Sequence, residues 1–310
     1  MYLVAITAVD GGNCGKGRKF QGLDFSCVND RSGENCPASG LSYLCSAKIT
    51  ELDKKIKVGI VSYRNTRPLI YGLQHTALSN DIELIEDIPA RLADKLKTGE
   101  IDLGLVPVAV IPQLGEYHII GDYCIGTEGE VASVCLFSEV PLNEITRVYL
   151  DYQSRSSVAL LQWLMRESWG IFPEIIQAED ESYREEIKGT TAGLVIGDRA
   201  LEQRLISTYI YDLGAEWRAI TGLPFVFAAW VSTKSLPESF VQRFNEANAA
   251  GIPRIDEIVA ANPFPVYDLR KYYTLNLSYQ LDERKRKGLE LFLSYLQREK
   301  EEPVAEIKEF

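Results

Sequence analysis

The residues best suited to chemistry lie in the run Val61–Leu69, directly after the short apolar segment Lys57–Ile60. The apolar segment predicts a buried strand, and the proline late in the run predicts the first turn of a helix. Ser62, Arg64 and Asn65 therefore lie where open α/β sheets bind anionic ligands, between the carboxyl end of a strand and a helix N-terminus. Simple capping of the helix explains the same residues about equally well.

A second candidate site lies in residues 151–157, between a predicted strand and a long predicted helix. The run brings Ser154, Arg155, Ser156 and Ser157 to a helix N-terminus, where unpaired N–H groups and the macrodipole favour a carboxylate. An arginine in a first turn opposes the dipole unless it has an anionic partner, so we expect a bidentate ligand carboxylate at Arg155. The alternative is that Ser156 or Ser157 only caps the helix.

Three other positions carry weaker signals for a binding site. Ser133 enters a predicted strand and either faces a cleft or is an ordinary serine at a strand start. Asp198 follows a buried strand and is either a ligand contact or a helix N-cap. Thr221, Gly222 and Phe225 form either an apolar wall against a ligand ring or part of the core.

Several familiar catalytic patterns are missing from the sequence. It contains only two histidines, His75 and His118, and both positions favour structural roles. We find no Ser-His-Asp arrangement, G-x-G-x-x-G motif, P-loop or cluster of metal ligands, so hydride transfer, phosphoryl transfer and metal-dependent hydrolysis have little support. A catalyst of this composition is expected to use no cofactor and to rely on positioning and hydrogen bonding.

The composition limits the partners of the protein. With 33 basic and 44 acidic residues among 310, the formal net charge is −11, which gives no electrostatic footprint for nucleic acid or anionic membranes. An anionic substrate must therefore be attracted by local groups. No run approaches 18 apolar residues, so no membrane span is predicted, and the length suggests about two domains.

Residues 1–52 differ from the rest of the chain. They contain four of the six cysteines, at spacings of 13, 9 and 9 that do not match the close pairs of zinc sites, and they lack the basic start of a signal peptide. We expect a disordered or loosely attached extension, with a small disulfide-stapled module as the alternative. Cys124 and Cys135 lie in apolar runs and are predicted to be buried, and a reducing cytoplasm is the simplest compartment.

From Lys57 onward, short apolar runs alternate with amphipathic stretches of about ten residues. This order predicts βαβ units and a parallel sheet, with a strand at Ala132–Phe137 closing the first cycle. A second cycle begins at Arg147–Leu150, and helices dominate after Phe225–Val231. The pattern predicts an α/β protein with two lobes and a ligand between them.

Six segments in a fixed order are more specific together than any one alone: Ser62–Leu69, Asp102–Val108, Asp151–Ser157, Ile196–Leu201, Thr221–Phe225 and Leu281–Lys285. Together they resemble the menaquinone biosynthetic chorismate dehydratase family of the futalosine pathway, and the resemblance covers roughly Ile56 to Gln297. It implies a type II periplasmic-binding-protein-like fold. Lobe 1 would comprise residues 55–137 and 224–300, and lobe 2 residues 138–223.

The resemblance also implies a reaction, the dehydration of chorismate to 3-[(1-carboxyvinyl)oxy]benzoate by a carbon–oxygen lyase, with Asn65 and Ser133 in the catalytic cleft. Loss of the ring proton next to the enolpyruvyl ether and of the neighbouring hydroxyl makes the ring aromatic without a metal or redox cofactor. Our hypothesis is that the loops Ser62–Asn65 and Ser154–Ser157 hold the two carboxylates. Because no histidine base is evident, a substrate carboxylate would accept the ring proton in a dry, closed cleft.

Two other functions remain open for the same fold. A solute-binding protein would capture a ligand without changing it, but residues 1–52 show no secretory signal or lipid anchor. The related enzyme that makes dihydroxynaphthoate relies on a cleft histidine, and none is evident. The expected partner is a small dicarboxylate, chorismate, with no nucleic acid and no membrane, and the protein is expected to be a monomer or homodimer.

Overall fold

The computed structural model describes residues 55–301, and the prediction for the extension 1–52 lies outside that range. Within it, the strands are β1 Ile56–Val61, β2 Ile82–Asp87, β3 Leu103–Pro107, β4 His118–Thr127, β5 Val134–Ser138, β6 Arg147–Leu150, β7 Glu174–Gln177, β8 Thr191–Ile196, β9 Tyr209–Asp212, β10 Phe225–Ser232 and β11 Ser278–Gln280.

Helices of several lengths connect and cover these strands. The α-helices are α1 Arg67–His75, α2 Pro89–Thr98, α3 Ser156–Trp163, α4 Asp198–Gln203, α5 Leu213–Thr221, α6 Glu238–Gly251, α7 Ile255–Ala261, α8 Leu269–Lys271 and α9 Glu283–Glu301. Short 3-10 turns occupy Arg64–Thr66, Ala77–Asn80, Val108–Gln113, Leu142–Glu144, Glu181–Glu186 and Ile252–Arg254. Two π-helical segments, Leu164–Trp169 and Tyr272–Asn276, continue α3 and α8.

The strands form two mixed sheets. The first has the order β11-β4-β10-β3-β1-β2, and the second has the order β7-β6-β8-β5-β9. In the first sheet β1 is parallel to β2 and β3, and in the second β6 is parallel to β7 and β8. The predicted parallel pairing therefore holds for three strands of each sheet, while β10 and β5 run antiparallel to their neighbours.

One boundary in the sequence prediction is wrong. The lobe division at residue 138 placed the strand near 132–137 with the first lobe, but β5 pairs with β8 and β9 of the second sheet. The chain therefore crosses from the first sheet to the second within residues 128–133, after β4. It returns within residues 222–224, between α5 and β10. Sequence pattern could not locate the first crossing, because an apolar strand reads alike in either sheet.

Buried aliphatic and aromatic side chains hold the sheets and helices together. Val58 and Ile60 of β1 and Leu103 and Leu105 of β3 are fully buried. Each such side chain contributes about 1.5–3 kcal/mol to folding relative to an exposed position. These central strands thus fix the loops that leave their carboxyl ends.

Helices α1 and α6 approach so closely that their backbones touch. A Cβ atom on Gly72 would lie 1.8 Å from the carbonyl oxygen of Ala247, and one on Gly251 would lie 1.7 Å from the carbonyl oxygen of Pro68. Only glycine fits at these two positions, since any side chain would overlap backbone atoms. This close contact with α6 fixes α1 and, with it, the loop that precedes α1.

Three further predictions can be compared with the structure. Gly99 ends α2 in the left-handed conformation at φ 76°, as predicted, because glycine alone adopts it without a steric cost. Cys124 and Cys135 are both fully buried free thiols, also as predicted. Across residues 55–301, none of the helices combines the length and the apolar character that a membrane crossing requires.

Candidate active site

A cleft of about 550 Å³, partly open to solvent, lies where the two sheets face each other. It is bordered by the carboxyl ends of the parallel strands β1, β3, β6 and β8, the edge at which open α/β sheets bind ligands. The residues that line it are Val61, Tyr63, Asn65, Thr66, Pro89, Pro107, Ile125, Val131, Ser133, Val134, Ser154, Ser156, Ser157, Ile196, Gly197, Phe227, Ala228 and Leu277.

Residues 62–67, which we call the asparagine loop, connect β1 to α1 by a 3-10 turn. The Thr66 hydroxyl lies 2.7 Å from the carbonyl oxygens of both Val61 and Tyr63 and holds the turn tight. No side chain caps α1, so capping does not account for this loop. The side-chain oxygen of Asn65, Oδ1, is buried and has no hydrogen-bond partner within residues 55–301. A buried acceptor of this kind is normally satisfied, and its vacancy suits a ligand donor.

Ser133 lies at the end of the first crossing and is 1% exposed. The carboxylate of Asp212 accepts the backbone N–H groups of Val131 (3.0 Å) and Ala132 (2.7 Å), while also capping α5. Ala132 adopts φ 63°, a strained conformation for a residue with a side chain. On the other side, the Tyr272 hydroxyl lies 2.7 Å from Ser133 Oγ. Contacts from the end of β9 and from the π-helical segment after α8 thus hold Ser133 at the cleft.

Residues 151–157, which we call the serine loop, connect β6 to α3. Ser154 Oγ accepts the N–H of Ser157 at 3.1 Å, and Ser156 Oγ accepts the N–H of Ala109 at 3.1 Å. These three serines line the cleft, but two of their hydroxyls already serve the local structure. The alternative that Ser156 or Ser157 caps α3 is therefore wrong: Arg155 is the N-cap residue, and the serine that accepts a first-turn N–H is Ser154.

Arg155 does not line the cleft. Its Nη2 lies 2.8 Å from Asp94 Oδ1 on α2, and both side chains are partly exposed. The structure thus gives Arg155 a partner within the protein, and its contact with a ligand carboxylate stays a prediction. Asp94 meets the same electrostatic need, and a single sequence could not reveal a partner 61 positions away.

A buried polar network lies behind the serine loop. The Asp151 carboxylate is fully buried and contacts Arg199 Nη2, the Tyr183 hydroxyl and the N–H of Gln153, each at 2.8 Å. Burial and the nearby Asp151 raise the pKa of Tyr183, so it remains a donor. The Tyr63 hydroxyl donates to Gln153 Oε1 and joins the asparagine loop to this network.

Arg64 and Asp198 connect the asparagine loop to α4. Asp198 accepts the backbone N–H of Arg64 at 3.2 Å, and its other oxygen lies 3.4 Å from Arg64 Nε. The Arg64 guanidinium stacks over the Phe264 ring at 4.3 Å. Burial raises the pKa of Asp198, although Arg64 opposes the shift. Neither residue lines the cleft, and Gly197, not Asp198, occupies the N-cap of α4. Ser62 is exposed and also lies off the cleft.

The predicted apolar wall at residues 221–225 is not part of the cleft. Thr221 donates to the carbonyl oxygen of Trp217, and Gly222 ends α5 at φ 68°. Phe225 is 1% exposed and packs in the core, its ring centroid 5.2 Å from that of Trp217. Phe227, on the same strand, lines the cleft instead, as does the aromatic residue Tyr63. The core alternative was correct for Phe225, because β10 is buried on both faces.

Comparison with known proteins identifies the family of this chain. The sequence model of the family described as menaquinone biosynthesis matches residues 56–298, which is most of the 310 residues. The chain belongs to the menaquinone biosynthesis family. The resemblance inferred from six segments is thus confirmed, and a curated relative agrees with it. The chorismate dehydratase of Thermus thermophilus is 29% identical over 262 residues, covering 77% of this chain and 94% of that protein.

Solved structures also resemble this menaquinone biosynthesis protein. A protein from Archaeoglobus fulgidus aligns with a TM-score of 0.63 at 16% identity, over 80% of this chain and 98% of that one. The alkanesulfonate-binding protein of Xanthomonas axonopodis, bound to MOPS, aligns with a TM-score of 0.54 at 15% identity, over 79% and 93%. At these identities the similarity concerns the fold alone, which is the periplasmic-binding-protein fold that was predicted.

Sequence reasoning missed several residues at the site of this family member. Tyr272, Tyr279 and Asp212 hold the cleft loops, yet each lies far in sequence from the residue it contacts. Tyrosines and a strand-end aspartate carry no motif that would mark them. Neither His75 nor His118 lines the cleft. In the described part of the chain, no three His, Cys, Asp or Glu residues are grouped as a metal site would require.

Proposed function

We propose that this protein is a chorismate dehydratase, a carbon–oxygen lyase that releases water from chorismate to give 3-[(1-carboxyvinyl)oxy]benzoate. The observation that carries the proposal is the unsatisfied Asn65 Oδ1 in the same cleft as the Ser133 hydroxyl. Membership of the menaquinone biosynthesis family and the name of the Thermus thermophilus relative support the choice of substrate.

The reaction asks little of the protein beyond positioning. One C–H bond and the neighbouring C–O bond of the ring break, one C=C bond forms, and a proton and hydroxide leave together as water. No atom changes its oxidation state through an external acceptor, and the aromatic product drives the reaction forward. Hydrogen bonds that orient the reacting groups can therefore supply the catalysis, which suits a cleft lined by amide, hydroxyl and apolar groups.

In the proposed mechanism, Asn65 and Ser133 have complementary roles. Asn65 Oδ1 accepts a hydrogen bond, which suits the ring hydroxyl of the substrate before it leaves. Ser133 Oγ donates toward the departing oxygen and stabilises the charge that develops on it. A carboxylate of the substrate accepts the ring proton, because His75 and His118 do not line the cleft. The apolar lining from Phe227, among others, excludes water from the reacting atoms.

The substrate carboxylates require local positive potential, since the protein carries a net charge of −11. The N-terminus of α3 supplies it on one side, where Ser154 and Ser157 line the cleft. We propose that one carboxylate lies against this turn and the other against the asparagine loop. We further propose that residues 55–133 with 224–300, and residues 134–223, act as two lobes that close on the ligand.

The test is direct: purified protein is mixed with chorismate while the diene absorbance is followed, and the product is identified by mass. We expect loss of the diene and formation of the benzoate ether. Asn65→Ala and Ser133→Ala should each lower kcat by about 10²-fold while KM changes only slightly, because their contacts strengthen in the transition state. Wild-type turnover in both variants would remove these residues from the mechanism.

Two other outcomes of the same assay would support other functions. Binding of chorismate without consumption would favour a solute-binding protein, a function that one structural neighbour has by name. Absence of binding would overturn the proposal. The enzyme that makes dihydroxynaphthoate is disfavoured, because the cleft is lined by no histidine within residues 55–301.

A further inference from the structure

One short segment near the C-terminus contacts both proposed catalytic residues. This tyrosine segment, Tyr272–Gln280, comprises the π-helical turn after α8 and the edge strand β11. The Tyr272 hydroxyl lies 2.7 Å from Ser133 Oγ, and the Tyr279 hydroxyl donates to the backbone carbonyl oxygen of Asn65 at 2.9 Å. We propose that Tyr272 and Tyr279 are positioning residues for the dehydration, an inference that rests on the proposed function.

The surroundings of Tyr272 determine which way the Ser133 proton points. Tyr272 is completely buried, and Ser133 Oγ is the one hydrogen-bond partner of its hydroxyl in the described chain. If Ser133 donated to Tyr272, the phenol proton would be left buried without an acceptor, which carries the full desolvation penalty of that group. Tyr272 therefore donates to Ser133. The serine proton is then free to point into the cleft, where Ser133 can donate it to a ligand.

Both phenols remain donors at any working pH. Burial raises the pKa of Tyr272 and of Tyr279 well above the ordinary value of a phenol. Ser133 and Asn65 consequently have different roles toward a ligand: Ser133 has a proton to donate, and the Asn65 side chain has an unsatisfied oxygen that can accept. This matches a ligand that offers an acceptor at one point of the cleft and a donor at the other.

The rest of the tyrosine segment supports the same loops. Asn276 Nδ2 donates to the carbonyl oxygen of Glu130 at 3.2 Å, within the crossing that carries Ser133. The Asn276 side-chain oxygen in turn accepts the Tyr267 hydroxyl at 3.0 Å. Leu277, between the two tyrosines, lines the cleft itself. The tyrosine segment thus contacts the crossing at residues 128–133, forms part of the cleft wall and contacts the asparagine loop.

Tyr272→Phe tests the role of the first phenol, and the chain offers a matched control. Tyr273 is the next residue, is 2% exposed, and its hydroxyl has no hydrogen-bond partner within residues 55–301. We expect Tyr272→Phe to lower kcat by about 10²-fold, the loss typical of a reacting group misplaced by about 1 Å. KM should change less than about threefold, and Tyr273→Phe should keep wild-type kcat.

A double-mutant cycle separates positioning from general structural support. In the Ser133→Ala background, Tyr272→Phe should cause no further loss of kcat, because Ser133 is the group through which it acts. Tyr279→Phe should lower kcat by about tenfold, the effect of one lost neutral hydrogen bond, and should stay additive with Ser133→Ala. Thermal unfolding of each variant shows whether it is folded.

The outcomes distinguish this inference from the proposed function. If wild-type protein consumes chorismate and folded Tyr272→Phe has the kcat of Tyr273→Phe, the positioning role of Tyr272 is overturned while the function stands. Additive losses in the Tyr272 and Ser133 cycle would also overturn it. If wild-type protein does not consume chorismate at all, the proposed function fails and the inference fails with it.

Discussion

The asparagine loop and the serine loop occupy equivalent places, each after a parallel strand and before a helix, but they differ in how their polar groups are satisfied. In the asparagine loop, Arg64 Nε has only the 3.4 Å ion-pair contact with Asp198, and Asn65 Oδ1 and Arg67 Nε are buried without a hydrogen-bond partner in the described chain. In residues 151–157 no buried side-chain nitrogen or oxygen lacks one. Unused hydrogen-bonding capacity, more than residue type, separates a turn built for a ligand from one built for the fold.

Because the partners of a polar group are not visible in the sequence, both loops suggested carboxylate binding there. Serine, arginine and aspartate at a helix N-terminus suit an anion, but they suit neighbouring protein groups equally well. In the serine loop the neighbours Asp94, Ala109 and Arg199 have taken those roles. What remains for a ligand there is the potential of the α3 N-terminus and the atoms by which Ser154, Ser156 and Ser157 line the cleft.

The largest expected effect, on kcat/KM, comes from replacing an amide by a carboxylate, a change made once in each loop. Asn65→Asp removes a donor, and it adds negative charge beside a dianionic substrate, so kcat/KM should fall by about 10³-fold, or ~4 kcal/mol. Gln153→Glu makes the same replacement in the serine loop, where the amide already contacts Tyr63 and Tyr152. We expect its kcat/KM to fall by less than about tenfold in the chorismate assay. Equal losses would contradict the distinction between the loops.

The next largest effect is expected on the free energy of unfolding, from the buried pair of Asp151 and Arg199 behind the serine loop. Asp151→Asn leaves Arg199, which is 11% exposed, without its buried ionic partner, so the free energy of unfolding should drop by about 3 kcal/mol. Asp94→Asn is the matched control, because it breaks the exposed pair with Arg155 and should cost less than about 0.5 kcal/mol. Denaturant unfolding measures both. A small loss for Asp151→Asn would mean that the serine loop is not held by its network.

The contact between the asparagine loop and α4 should make the free energy of unfolding depend on pH. Because burial raises the pKa of Asp198, the folded protein binds this proton more tightly than the unfolded chain. The contribution of Asp198 to stability should therefore fall as pH rises from the ordinary aspartate pKa to the raised one, and should stay at the lower level above it. Asp198→Asn keeps an oxygen for the Arg64 N–H but cannot titrate.

The measurement for Asp198 is the difference in unfolding free energy between variant and wild type, taken from about pH 3 to about pH 8. We expect the variant to gain on the wild type as pH rises. A difference that falls with pH would show that the ion pair with Arg64 outweighs the burial of the carboxylate.

The smallest effect is expected at Arg155, which sequence reasoning ranked among the ligand contacts. Arg155→Ala removes a partly exposed pair with Asp94, and such pairs contribute at most about 1 kcal/mol. Turnover and KM for chorismate should both stay within about twofold of wild type. A tenfold rise in KM would mean that the ligand reaches Arg155 after all, and it would make the two loops more alike than their contacts indicate.

Local sequence pattern was sufficient for most elements but not for their pairing. The stop of α2 at Gly99 and the strands β1 and β6 follow from signals within a few residues. The antiparallel placement of β5 depends on contacts with β9, a strand that the sequence did not reveal. Strand pairing is a tertiary property, so a pattern read along one segment cannot fix it.

For the site, the sequence identified groups but not their partners. Asn65 and Ser133 both line the cleft, whereas Arg155, Thr221 and Phe225 do not. The difference lies in long-range contacts: Arg155 meets Asp94, and Phe225 meets Trp217. Whether a polar or aromatic residue faces a ligand is decided by what else the fold brings to it, and that information is not local.

The contact between Gly72 and Gly251 has a consequence for natural variation in this protein. Because the two glycines leave no room for a side chain, any substitution at either must push α1 away from α6 and carry the Asn65 turn with it. Inherited change could thus impair the active site through positions that no inventory of cleft residues would include. Surveys of sequence variants that score only residues near the substrate would record such changes as harmless.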